Sequence, residues 1–205
     1  MESRRVWISV FAADDPRSVP QRLEQAVAVY CTACNIPAPP PETLVTARTV
    51  TGKPYFPHSQ QFHLSISHSG DYWACAIGEQ PMGLDLQDRE LPQREETMEE
   101  MLRRHQKMAH RFFHPLEAEF VDQDPRYNFL TVWTAREAYV KFTGQGIDKH
   151  FSEHCVIPEN AATISGEIAD IRWSAMGKEF WKTYFRDYTI CVCTESPSEY
   201  FITTE

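Results

Sequence analysis

Several things are missing from this chain of 205 residues, and each absence excludes something. No apolar run approaches the ~20 residues that a membrane span requires, so no transmembrane helix is expected. The opening stretch, MESRRVWISVFAADD, has too short an apolar core for a signal peptide and ends in acids, so a cytoplasmic location is expected. Positive charge is scarce: 20 Lys and Arg stand against 29 Asp and Glu, giving a net charge of −9. That argues against nucleic acid or an anionic membrane surface as partner. A small polyanionic ligand would have to be held by local cations or by a metal ion. The glycine-rich fingerprints of mononucleotide and dinucleotide sites do not occur, so those folds lose support. The His-Glu-x-x-His and His-x-Glu…Cys-x-x-Cys patterns are absent too, leaving zinc hydrolysis without a visible site.

What is present belongs to an ordinary folded chain: 42% hydrophobic, 24% charged and 12% aromatic residues, a balance that argues against disorder. The six cysteines, without an export signal, are read as reduced thiols that mostly fill cores. Cys31 and Cys34 have redox or zinc spacing, but they lie in the helix-like run LEQAVAVYCTACNI with no second pair at metal-binding distance. Cys191 and Cys193 are two apart and so face one side of a strand.

Residues 4–12 alternate like a strand, and a helix is expected over roughly 18–35, stopped by the proline cluster NIPAPPPE. Residues 44–50 read as a strand. GKPYFP is a turn, and FHLSISHSGDYWACAIGE reads as two strands around an HSGD turn. MGLDLQ is a third short strand, with Gly83, Asp85 and Gln87 on one face and Leu84 and Leu86 on the other. The pattern then changes to helices: one over REETMEEMLRRHQKMAHRFF and one or two more up to residue 144, broken near Asp124-Pro125. Strands return in HCVIPE, ATISGEIADIRW and EFWKTYFRDYTICVCTE. Helices segregated from antiparallel strands indicate an α+β fold, with two α+β halves meeting near residue 83.

Several polar residues sit awkwardly in this pattern. Asp85 stands in a strand otherwise built of Leu and Gly. Glu137 lies on a helix between Trp133 and Tyr139, with Lys141 one turn on. The plainest reading of Glu137 and Lys141 is a solvated i,i+4 pair contributing ~0.2–0.5 kcal/mol. The alternative is that Asp85 and Glu137 supply hard oxygen ligands, with the Gln87 amide as a third, to an Mg²⁺ ion that keeps several waters. Ser67 and His68 end a strand at a turn, where donors can converge on an anion. Lys53 and Pro54 lie on a stiffened turn.

The order of these motifs is informative. GKPYFP, FHLSISHSGDYWACAIG, MGLDLQ, RFFHPLEAEF and WTAREAYVKFTGQGI together resemble the 4′-phosphopantetheinyl transferase superfamily, over about residues 50–147. The two-half plan resembles its monomeric type, which activates peptide and polyketide synthetases. The family motif Gly-Ile-Asp-x-Glu stands here as Gly83-Leu84-Asp85-Leu86-Gln87. Its Trp-x-x-Lys-Glu-Ala-x-x-Lys motif stands as Trp133 to Lys141, with Arg136 and Glu137 at the Lys-Glu positions. The resemblance implies a pseudo-dimer of two similar halves, 1–82 on the nucleotide side and 83–205 on the metal and carrier side. Each half would be an antiparallel sheet packed on a long helix, with the active site at the seam.

The resemblance further implies a transfer of the phosphopantetheine arm of coenzyme A to a serine of an acyl or peptidyl carrier protein. Asp85, Glu137 and Gln87 would hold Mg²⁺, or Mn²⁺ in its place. Glu137 and Lys141 would be catalytic. Lys53, Pro54, Ser67, His68, Lys141 and Arg22 would contact coenzyme A. Two residues depart from the pattern: Gln87 replaces the second acid of the strand motif, which implies weaker metal binding, and Arg136 replaces a lysine. Carrier docking needs a basic and apolar surface. The helix MLRRHQKMAHRFF offers Arg103, Arg104, Met108 and Phe112, beside Met101 and Lys107, although an ordinary amphipathic helix covering a sheet looks the same. Two rival readings stand beside the transferase. One is a non-catalytic carrier-binding relative, suggested by Gln87. The other is a metal-dependent phosphohydrolase using the same carboxylates.

Overall fold

A computed structural model describes residues 4–59, 61–89, 96–146 and 151–205. In chain order the elements are β1 (Arg4–Ala12), α1 (Val19–Cys34), β2 (Ala47–Arg48), β3 (Pro54–Tyr55), β4 (His63–Ser69), β5 (Tyr72–Gly78) and β6 (Met82–Asp88). Then follow α2 (Met98–Phe112), α3 (Pro115–Gln123), α4 (Tyr127–Thr143), β7 (Ile171–Ala175), β8 (Lys178–Phe185), β9 (Tyr188–Thr194) and β10 (Ser198–Thr204).

The helix limits follow from local chemistry. The amide of Ser18 donates to the side chain of Gln21 at the start of α1, and Asn35 ends that helix in the left-handed region at φ 55°. Thr97 and Glu100 exchange hydrogen bonds across the first turn of α2. Gly144, at φ 70°, closes α4 with its amide on the carbonyl of Val140.

The strands form two four-stranded sheets and a two-stranded ribbon. The first sheet runs β10-β1-β5-β4 and the second β6-β9-β8-β7. All pairs are antiparallel except β1 with β10, which run parallel. Three buried clusters stack these elements in four layers. Leu23, Val27 and Tyr30 of α1 cover one face of the first sheet at Phe11, Trp73 and Ile77. Val6, Ile8 and Val10 on the other face of β1 meet Leu84, Leu86, Ile190 and Val192 of the second sheet. The outer face of the second sheet, including Cys191 and Cys193, lies under Val132, Ala135 and Ala138 of α4. Both faces of β1 and β9 are therefore in cores, as their apolar runs require.

The two sheets are also stitched along one edge. The amides of Leu84, Leu86 and Asp88, on the edge of β6 away from β9, donate to Ser65 Oγ (2.8 Å), Ser67 Oγ (3.1 Å) and Ser69 Oγ (3.0 Å) of β4. Serine hydroxyls replace a backbone ladder there, and each satisfies an edge donor that burial would otherwise leave costly.

Three expectations need correction. Residues 44–50 are not a strand: Pro41–Leu44 form a 3₁₀ turn and only Ala47–Arg48 pair, because Val45 and Val50 are exposed and offer no apolar face. HCVIPE carries no strand either. The amide of Val156 is taken by the Glu117 carboxylate and its carbonyl by the Trp173 indole. ATISGEIADIRW opens as a 3₁₀ turn, Ala161–Ile164, and becomes a strand only from Ile171. β10 was not anticipated; it follows the second sheet in sequence but joins the first. No helix among the described residues is long and apolar enough to cross a membrane.

Candidate functional site

The site grows from the contact of α4 with β6. A Cβ on Gly83 would lie 1.9 Å from the carbonyl oxygen of Ala138 and 2.4 Å from the amide nitrogen of Phe142. Only glycine lets the helix backbone approach the strand so closely. That approach sets Glu137 and Lys141, one turn apart on α4, beside Asp85, which is two residues on from Gly83 and on the same strand face.

Asp85 is 5% exposed. Its Oδ1 accepts from Lys141 Nζ at 2.7 Å and from Ser67 Oγ at 3.0 Å, while Lys141 Nζ also donates to Ser67 Oγ at 2.8 Å. Asp85 Oδ2 is buried with no hydrogen-bond partner. Lys141 is thus spent on Asp85 and not on Glu137, which makes no ion pair or hydrogen bond among the described residues. The ordinary i,i+4 pairing is not what the fold builds.

Burial pushes the Asp85 carboxyl up, against the opposing pull of Lys141 and Ser67. Burial also raises Glu137, the negative charge of Asp85 raises it further, and Lys141 acts against both. Two acids share one base, and one buried oxygen has no donor. This donor set fits a divalent cation: hard oxygens, an uncompensated negative charge and an orphaned acceptor. No group of three or more His, Cys, Asp or Glu side chains gathers among the described residues, so any further ligands would be neutral groups, water or substrate.

Gln87, next on the same strand face, is half-buried and lines a cavity of about 290 Å³ together with Trp133, one turn before Glu137 on α4. At the other end of α4, Lys53, Pro54, Lys141 and Gly144 line a groove of about 230 Å³. Lys53 Nζ donates to the carbonyls of Phe142 (2.6 Å) and Met82 (3.3 Å), capping the helix end, and its pKa is lowered by burial. Ser67 and His68 do not converge as a pair. Adjacent strand residues face opposite ways, so Ser67 is buried in the seam and His68 is exposed. His68 is paired in register with Trp73, and the Arg22 guanidinium lies 5.7 Å from the same indole ring. Arg22 also donates to the carbonyl of Asp15 at 2.7 Å. The predicted residues therefore fall into a central group, Asp85, Glu137, Lys141 and Ser67, flanked by Gln87 on one side and by Lys53 and Pro54 on the other. Arg22 and His68 form a separate group around Trp73.

On α2, Arg103, Arg104, Lys107, Met108, Arg111 and Phe112, together with one acid, Glu100, line a shallow surface hollow. Phe112 is exposed, whereas Met101 is buried. Arg103 pairs with Glu99 and Arg104 with Glu96. Cys31 is buried against Tyr30 and Leu23, and Cys34 is half-buried; both are free thiols in the α1 core.

Two features escaped the sequence reading. Ser65 and Ser69 flank Ser67 in the stitch between sheets, and only the alternation SISHS hinted at it. Arg136 and Glu117, 2% and 0% exposed, form a buried ion pair between α4 and α3. The Arg136 position was visible only as a departure from a motif, and its partner could not be read from spacing.

Comparison with known proteins bears on this geometry. A family model described as the 4′-phosphopantetheinyl transferase superfamily matches residues 81–193. A 4′-phosphopantetheinyl transferase of Bacillus subtilis is 31% identical over 155 residues, 71% of this chain and 61% of that protein. The 4′-phosphopantetheinyl transferase Sfp of Bacillus subtilis (strain 168) is 29% identical over 153 residues, with the same coverage. The 4′-phosphopantetheinyl transferase psf-1 of Bacillus pumilus is 26% identical over 165 residues, 78% of this chain and 64% of that protein. The chain thus spans about three fifths of the length of these curated relatives.

Proposed function

The chain belongs to the 4′-phosphopantetheinyl transferase superfamily, and from that premise we propose that it moves the 4′-phosphopantetheine group of coenzyme A onto a serine hydroxyl of an acyl or peptidyl carrier protein. The observation that carries this reading is the Asp85–Glu137 pair, with one lysine between two acids and a buried oxygen without a donor.

In this reading the serine oxygen bonds to the β-phosphorus of coenzyme A, the bond from that phosphorus to the bridging oxygen breaks, and 3′,5′-adenosine bisphosphate leaves. Glu137 takes the serine proton; positioned bases of this kind contribute ~10²–10⁴-fold. Lys141, anchored on Asp85 and Ser67, neutralises the transferred phosphoryl group. Asp85 and Glu137 would hold Mg²⁺ or Mn²⁺, with Gln87 as the next group on that strand face. When bound, the ion supplies charge neutralisation at the pyrophosphate. Lys53 and Pro54, in the groove beyond Lys141, are assigned to the nucleotide phosphates. Arg22 and His68 are assigned as outer contacts of the same ligand. The hollow on α2, with Arg103, Arg104, Met108 and Phe112, suits the acidic, apolar-striped helices of a carrier.

The remaining assignments rest on the same premise. Segments 1–82 and 83–205 are read as two related halves acting together as a cytoplasmic monomer, with β10 of the second segment crossing over to complete the first sheet. The test is incubation with coenzyme A, Mg²⁺ and an apo-carrier. A mass gain on the carrier equal to one phosphopantetheine group is expected. Carrier binding without that gain would favour a non-catalytic relative, and release of inorganic phosphate without any carrier would favour a phosphohydrolase.

A further inference from the structure

The strand that carries Asp85 is held by a backbone ladder on one edge only. In an antiparallel pair, alternate residues of a strand turn their backbone groups away from the partner. On β6, paired with β9, those residues are Leu84, Leu86 and Asp88, and their amides end on Ser65, Ser67 and Ser69 Oγ. The serines alternate along β4 with Leu64 and Ile66, which belong to the α1 core. A side chain longer than serine would hold β6 away from β4. A shorter one would leave a buried amide without an acceptor. One hydroxyl per rung therefore sets the spacing of the two strands.

The three rungs are not equivalent. Ser67 belongs to the site itself, on Asp85 Oδ1 and Lys141 Nζ. Ser69 acts at Asp88, three residues beyond Asp85 and at the end of the strand. Ser65 acts at Leu84, between Asp85 and Gly83, where the backbone of α4 rests on the strand. Ser65 and Leu84 are both buried, so the Leu84 amide has no solvent to replace that hydroxyl. One residue before Gly83, Lys53 Nζ joins the Met82 carbonyl to the Phe142 carbonyl of α4. The segment directly before Asp85 is thus gripped by Lys53 at Met82, by α4 at Gly83 and by Ser65 at Leu84.

We propose that Ser65 is a positioning residue, whose hydroxyl on the Leu84 amide fixes β6 against β4 and so places Asp85 opposite Glu137 and Lys141. Ser65 acts through the backbone and makes no hydrogen bond to either acid among the described residues. The assignment rests on the transferase reading, in which the two acids share a divalent cation, and names a residue that sets their spacing. Ser65 also borders the Lys53 groove, so direct contact with coenzyme A is the alternative to be separated. A contact would act on KM, whereas misplaced carboxylates act on metal affinity and kcat.

The test uses the whole chain and three variants. Ser65→Ala removes the acceptor, Ser65→Cys keeps the shape with a weaker acceptor, and Ser69→Ala removes a rung remote from Asp85. Free Mn²⁺ is titrated by electron paramagnetic resonance with coenzyme A at saturation, and transfer to an apo-carrier is measured alongside. Expected for Ser65→Ala is about tenfold weaker Mn²⁺ binding and about tenfold lower kcat, with KM for coenzyme A unchanged. Ser65→Cys should lie between Ser65→Ala and the unaltered chain, and it carries the comparison if Ser65→Ala does not fold. Ser69→Ala should keep both Mn²⁺ affinity and kcat. Three results overturn the assignment and leave the transferase reading standing. They are unchanged Mn²⁺ affinity in both Ser65 variants, equal losses in Ser69→Ala and Ser65→Ala, or a higher KM for coenzyme A at unchanged kcat. Failure of the unaltered chain to bind Mn²⁺ with coenzyme A present overturns both.

Discussion

Neighbouring residues of α4, Arg136 and Glu137, open onto two buried charge clusters of opposite design. Around Arg136 there is one base and one acid. Glu117 Oε2 takes the guanidinium and the His114 amide, Glu117 Oε1 takes the Val156 amide at 2.7 Å, and Arg136 also donates to the His154 carbonyl at 2.8 Å. Both Glu117 oxygens are satisfied. Around Glu137 there are two acids for one base, and Asp85 Oδ2 has no donor. The first cluster ties α3, α4 and the segment before Ile157 together. The second leaves unmet demand for positive charge, which is what a binding site requires and a structural tie avoids.

The sharpest way to break this contrast is Glu137→Ala. Transfer should fall by at least about 10³-fold while the fold persists, since the side chain has no partner to lose. The mass-gain assay and a thermal melt together read this; a folded, fully active variant would refute the assignment. Glu137→Gln should also raise the melting temperature of the metal-free protein by about 1–3 °C, because it relieves repulsion with Asp85. The pH dependence has the same origin. Both carboxyl pKa values are raised in the fold, so protonation favours the metal-free folded state. Its stabilisation is present at low pH and is lost as pH rises through the raised values. Mg²⁺ demands the deprotonated forms, so its affinity should weaken on acidification at a higher pH than for ordinary carboxylates.

Glu117→Ala tests the other cluster. It leaves a guanidinium buried without its carboxylate, and such a break costs about 3–5 kcal/mol. Urea denaturation should show that loss, whereas Glu137→Gln should not. A loss below about 1 kcal/mol would erase the distinction between the clusters.

These two clusters also show what a sequence can disclose. Asp85 was legible because an acid is out of place between leucines, and Glu137 because it stood in an ordered set of motifs. The stop of α4 at Gly144 and the start of α1 near Ser18 were legible, since such signals are local, whereas the helix read from Arg94 begins only at Met98, behind the Thr97 cap, and Arg94 and Glu95 lie outside the described residues. Glu117 was not legible as the partner of Arg136, because a pairing 19 residues apart depends on how α3 folds back on α4. The stitch by Ser65, Ser67 and Ser69 was hidden for a similar reason. A serine on a strand face looks solvated until the facing edge of β6 is known. β10 was missed because its burial is supplied by β1, nearly 200 residues earlier.

Gly83→Ala asks whether the contrast depends on the depth to which α4 sinks onto β6. The added methyl would meet the Ala138 carbonyl at 1.9 Å, so the helix must shift. Arg136 and Glu117, tied to α3, should tolerate the shift. The Asp85–Glu137 geometry should not, and a displacement of about 1 Å can cost about 10²-fold in rate. Transfer should therefore drop far more than stability falls. A variant with normal kinetics and a large loss of stability would reverse the argument.

The smallest effect is expected at the outer charges of α2, which sharpen the comparison from outside. Arg103 pairs with Glu99 where both side chains are more than half exposed, and Arg104 pairs with Glu96 at the cavity rim. Solvent screens the first pair, so Arg103→Glu alone should leave the melting temperature nearly unchanged, and adding Arg104→Glu should lower it modestly because Glu96 is mostly buried. If this face receives an acidic carrier, the double reversal should raise KM for the carrier several-fold and leave KM for coenzyme A as it was. The difference should shrink as salt is added, because steering by exposed charge is screened. Equal changes in both KM values would place these arginines with the structural charges and leave the docking face to be sought elsewhere on the molecule.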